Sequence, residues 1–167
     1  MKFFPDWEIK AEICLMIHQI LSYNFYLISN FLSAGGFFLI PCFIDHNLLK
    51  SQESIPLIAV DLIIQILEIF HKKFNEISNM FIKNQLLKRL NILILEIFQD
   101  DSLQSNENNL LLFERAIDLL IKLTGIEKTE KIFSDSIIGS VINISYSFIE
   151  SNLLQQMLPK VLLIYLF

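Results

Sequence analysis

Two cysteines and four glycines are all that the 167 residues hold of either type, and each shortage excludes a class of chemistry. Cys14 and Cys42 stand in no metal-binding or redox spacing with each other or with a histidine, so they are expected to be reduced, buried, small apolar residues. Gly35 and Gly36 are adjacent, Gly125 and Gly139 are isolated, and no glycine loop able to cradle a phosphate can be drawn from them. The chain also lacks an HExxH helix, a Gly-x-Ser-x-Gly elbow and a carboxylate pair with an acid partner. His18 follows Cys14 by four residues and can share its helical face, but two ligands fall short of the three or four that a metal site needs. His46 and His71 lie beside polar residues near expected helix ends and read as surface groups. The chain is therefore read as non-catalytic, with no cofactor and no metal.

Basic excess is missing as well. Thirteen Lys and Arg against eighteen Asp and Glu leave a formal net charge of -5, which argues against a nucleic-acid partner. Charge of either sign is absent from Ile13 to Ile44, and so long an uncharged run raises the question of a membrane span. Polar His18, Gln19, Asn24, Ser29, Asn30 and Ser33, with the break at Gly35-Gly36 and Pro41 soon after, argue instead for a pair of buried helices. A membrane-associated helical protein with a span within 13–44 stays as the alternative. The opening, Met1 to Lys10, is too charged for a signal peptide, so a cytoplasmic protein is expected.

What the sequence has in plenty is aliphatic carbon. Ile and Leu make up about a third of it, and a chain of this length fits one domain that buries roughly 70% of its unfolded surface. The organising stretch is Ala59-Val-Asp-Leu-Ile-Ile-Gln-Ile-Leu-Glu-Ile-Phe70. Asp61, Gln65, Glu68 and Lys72 fall at i, i+4, i+7 and i+11, which predicts a helix from about Pro56 to Phe74 with one narrow polar stripe. Such a helix must be covered on several sides. Ala116-Ile-Asp-Leu-Leu-Ile-Lys-Leu123 repeats it, with Arg115, Asp118 and Lys122 as its stripe, and Glu8, Glu12 and Gln19 suggest a first copy. Phe31, Phe81 and Ile132 occupy equivalent places, a period of about fifty residues. Asp61 and Asp118 are expected to be equivalent and exposed.

Local signals place the boundaries. Asp6 reads as the cap of the first helix, Ser51 or Ser54 as the cap of the next, and Pro56 as a first-turn proline. Residues 99–109 carry one apolar side chain, Leu103, and are expected to form an exposed loop. Gly125 stands where a helix C-terminus is expected. At least one of Gly35 and Gly36 is expected to take a positive φ in a tight turn.

Ser33-Ala-Gly-Gly-Phe-Phe-Leu-Ile-Pro-Cys-Phe-Ile44 has the form Ala-Gly-Gly-apolar followed by a leucine-rich helix; Lys83 to Leu95 follows it without the glycines, and Ser134 to Asn143 more loosely. In this the chain resembles the armadillo and HEAT superfamily over about residues 8–150. The resemblance implies an all-α fold: a right-handed solenoid of about three units, near 6–50, 51–100 and 110–150, with an incomplete fourth at 151–167. It also implies a protein-protein interaction module, a scaffold, adaptor or regulatory repeat, whose third helices near 37–44, 85–98 and 136–148 line a concave face for an extended peptide or helix. Lys88, Asn91, Asn143 and Tyr146 are the expected partner-binding residues there, Asn and Tyr being suited to gripping a peptide. The only tryptophan, Trp7, lies outside those helices, which counts against nuclear-signal binding. Lys72, Lys73, Lys83, Lys88 and Arg89 crowd the middle unit and would favour an acidic partner segment.

Val161 to Phe167 offers no polar face, whereas a terminal repeat needs one. This end is expected to dock on a partner, on a second copy or on a further repeat. Deleting 161–167 should increase solubility and reduce self-association if the end is exposed, and should unfold the third unit if it is packed inside. Sedimentation of both lengths checks this, and a strictly monomeric full-length chain with Leu163 and Phe167 in water would refute it.

Overall fold

A computed structural model describes residues 7–22, 24–49, 54–104 and 106–124. Asp6, Ser51, Gly125, Asn143, Tyr146 and the segment 161–167 lie outside these residues. Among them every element is helical and no strand occurs: α1 (Trp7–Ser22), α2 (Phe25–Phe31), a π-helical turn (Leu32–Gly36), α3 (Phe37–Cys42), a 3₁₀ turn (His46–Leu48), α4 (Ile55–Ile69), a second 3₁₀ turn (His71–Lys73), α5 (Phe74–Lys83), α6 (Leu86–Gln99), α7 (Asp101–Gln104) and α8 (Glu107–Thr124).

α4 is the centre. Nine of its fifteen residues, from Ile55 to Leu67, are buried, so it needs cover on several sides. α8 and α1 make its most extensive contacts, and α5 and α3 pack on it as well. Pro56 is accommodated at the second helical position, where its missing N–H forgoes no helical bond. Ser54 holds the cap position, but its backbone is left-handed, at φ 47° and ψ 47°, and its hydroxyl makes no capping bond. The serine therefore marks the helix start without closing it.

The polar stripe fixes the neighbour. Arg115 Nε stands 3.5 Å from Asp61 Oδ1, and Lys122 donates to Glu68 Oε1, so the same seven-residue step on α4 and α8 gives two rungs across one seam. Ion pairs this exposed contribute little stability, and their main effect is on register. Asp61 and Asp118 are both helical but half-buried rather than fully exposed. For Asp61 the reason is its seat at the seam. Burial pushes its pKa up, against the opposing pull of Arg115 and His18.

Two stretches differ from the expected boundaries. The long helix ends at Ile69, not Phe74: Phe70 leaves helical geometry at φ -97° and ψ 36°, and the His71–Lys73 turn follows. That turn lets α5 fold back, burying Ile77 and Phe81, with the Phe81 ring edge-on to Phe37 at 5.1 Å between centroids. Residues 99–109 are mostly helix instead of loop, because their polar side chains act as caps. Asp100 Oδ1 accepts from the Ser102 amide at 2.9 Å, opening α7, and Asn106 Oδ1 accepts from the Asn108 amide at 2.9 Å, opening α8. Leu103 is buried, and Asn109, also buried, donates from Nδ2 to the Leu103 carbonyl at 3.1 Å.

The diglycine turn has two distinct requirements. Gly35 adopts φ +109°, a conformation that costs a side-chain residue about 1 kcal/mol or more. At Gly36 a Cβ would sit 2.4 Å from the Phe31 ring and 2.9 Å from the Phe31 carbonyl oxygen, so close approach is what requires glycine there. Gly35→Ala and Gly36→Ala should each destabilise by about 1 kcal/mol or more, measured by chemical denaturation. An unchanged midpoint for either would contradict this geometry.

Asp45 ties the end of the first helical group back to α1. Its carboxylate accepts from the Asn47 amide at 3.0 Å and from Asn47 Nδ2 at 2.8 Å, and Lys10 Nζ reaches it at 3.4 Å. Burial pushes its pKa up, but the Asn47 donors and the Lys10 charge together outweigh that and hold it below the ordinary 3.8. A carboxyl whose folded pKa is depressed stabilises the fold above its unfolded pKa and loses that contribution as pH falls through the folded one. Asp45→Asn should therefore be less stable than wild type near pH 7, with the gap narrowing below about pH 4. Denaturation midpoints across that range provide the check, and a constant gap would be the contrary result.

Candidate functional site

The expected binding residues fall on α6, where the helical period decides what each presents. Gln85, Lys88, Ile92, Glu96 and Gln99 are exposed and form one outward strip. Lys88 stands within it. Asn91 is half-buried at one edge, and Arg89 at the other. Asn143 and Tyr146 lie outside the described residues.

Arg89 turns toward α3. Its Nη2 reaches Cys42 Sγ at 3.8 Å, and its Nε is buried with no hydrogen-bond partner among the described residues. Cys42 in turn donates its thiol to the Phe38 carbonyl at 3.2 Å, so Phe38, Cys42 and Arg89 follow one another across α3 and α6. Phe38 is 67% exposed, and Leu39 and Ile92 are also in water. The face thus sets exposed apolar side chains beside a lysine.

The basic residues expected to crowd together are divided. Lys72 and Lys73 stand at the start of α5, whereas Lys83, Lys88 and Arg89 gather around its end and the start of α6. Ten helical residues separate the groups by roughly 15 Å. At the Lys73 end lies a cleft of about 280 Å³ between α2 and α5, lined by Phe37, Phe70, Ile77 and Met80, with Ser29, Ser33, Lys73 and Glu76 as its polar lining. The adjoining lysines were its only sequence signal. The cleft exists because α4 stops at Ile69 and α5 reverses.

Cys14 is fully buried and its thiol is pushed up to about 12 by burial, so it keeps its proton. No group of three or more His, Cys, Asp or Glu side chains suited to a metal occurs among the described residues. His71 is exposed on the second 3₁₀ turn. The uncharged run 13–44 is divided among α1, α2, the π turn and α3, and no helix among the described residues is long and apolar enough to cross a membrane.

Compared with known protein families, with curated proteins and with solved structures, the chain matches none.

Proposed function

We propose that the chain is a non-catalytic protein-protein interaction module, a scaffold or adaptor in the cytoplasm built as a short armadillo-like solenoid. The observation that carries this reading is the surface of α3 and α6, where exposed Phe38, Leu39 and Ile92 stand beside Lys88 and the Arg89–Cys42 contact. The order of elements supports it. α1, α4 and α8 begin at 7, 55 and 107, a step of about fifty residues, and lie side by side, with α3 and α6 following the first two. An exposed apolar face with basic groups beside it is suited to an extended peptide or a helix from a partner.

Lys88→Glu combined with Asn91→Ala changes that face without touching the buried core, so the variant should keep its thermal stability. A partner cross-linked to the wild-type chain in its source cell should be lost with this variant. Retention of the same cross-linked partner by the variant would exclude this face. Recovery of the chain only in detergent, with 13–44 shielded from protease by lipid, would replace this reading with a membrane-associated helical protein.

A further inference from the structure

The cleft between α2 and α5 is distinct from the α3 and α6 face, and its chemistry is more specific. Its floor is apolar, with Phe37, Phe70, Ile77 and Met80 facing one volume of about 280 Å³. A hollow of about 350 Å³ adjoins it at the start of α5, lined by His71, Lys72, Lys73, Asn75 and Glu76, and Lys73 and Glu76 line both. His71, Lys72 and Lys73 are all exposed, and none makes an ion pair among the described residues. In a chain of net charge -5, two adjacent lysines that make no ion pair among the described residues form a local positive field.

The backbone adds a second, independent attraction for negative charge. α5 begins after Lys73 with no side-chain cap, so the amides of its first turn have no side-chain acceptor at the cap position. Asn24, Asp100 and Asn106 supply such an acceptor at the starts of α2, α7 and α8. A lysine at the cap position also sets a positive charge on the positive end of the helix dipole, an arrangement that an external carboxylate relieves. Glu76 lies in that first turn and offsets one of the two lysine charges, leaving a single positive charge in excess.

We infer that this cleft binds an acidic peptide segment of a partner protein, with a large apolar side chain seated on Phe37, Phe70 and Met80 and an adjacent Asp or Glu held by Lys72, Lys73 and the first turn of α5. The inference deepens the protein-interaction reading and rests on it. The apolar floor favours a peptide over a bare anion, which would leave that surface in water.

The test is a random peptide display selection against the full chain. Enriched peptides should carry Asp or Glu next to Phe, Leu, Ile or Met. Lys72→Glu with Lys73→Glu should weaken the best peptide by at least about tenfold, and added salt should weaken it on the wild type. Met80→Asp, at a position 40% exposed, should abolish the apolar preference while leaving the fold intact. Glu107→Gln, exposed on α8, should leave this binding unchanged. Acidic-apolar peptides that bind the Lys72/Lys73 variant equally well would overturn the cleft assignment alone. If no peptide is enriched, the cleft proposal falls, while the α3 and α6 reading stands or falls by its own cross-linking test. Equal binding of phosphatidylserine vesicles, or competition by inorganic phosphate alone, would show that the basic rim recognises any anion and would overturn the peptide claim.

Discussion

The burial of α4 is the constraint on which the rest depends. A helix with apolar residues on all but one strip cannot rest against a single neighbour, because each large side chain left in water forgoes about 1.5 to 3 kcal/mol. Ile55, Val60, Ile63 and Ile66 are wholly withdrawn from solvent because α1, α8, α3 and α5 all pack on this helix. The strip that stays polar is then used for alignment. Asp61 and Glu68 select the turns of α8 that carry Arg115 and Lys122, so a weak interaction settles which of several similar apolar registers is adopted.

Helix type was legible wherever polar residues recurred with helical period, as on α4 and α8, and so was the diglycine turn, because only glycine tolerates the φ of Gly35. Boundaries without Gly or Pro were not. The stop at Phe70 arises from α5 folding onto Phe37, a contact between residues 44 apart in Phe37 and Phe81 that no local pattern encodes. Residues 99–109 misled for the opposite reason: Asp and Asn favour loops and helix caps alike, and the choice turned on the burial of Leu103 and Asn109.

The candidate sites divide in the same way. Lys88 was readable as an outward residue from its place on α6, and it is exposed. Asn91, three positions on, is half-buried at the strip's edge. The partnership of Arg89 with Cys42 spans 47 positions and had no sequence signature. The cleft was hidden for a comparable reason, since its walls come from α2 and α5 and its rim from a turn that the apolar pattern ran straight through.

The central place of α4 bears on how the chain is made. Helices that find their partners next door in sequence are covered as soon as they emerge from the ribosome, but one flank of α4 waits for α8, which starts about forty residues after α4 ends. At ordinary synthesis rates of roughly 5–20 residues per second, that flank stays open for about 2 to 8 seconds in every molecule produced. Through that interval a strip of isoleucine and leucine is presented to the surrounding proteins, and whatever shields it from aggregation is as much a condition of the fold as the two ion pairs that later close the seam.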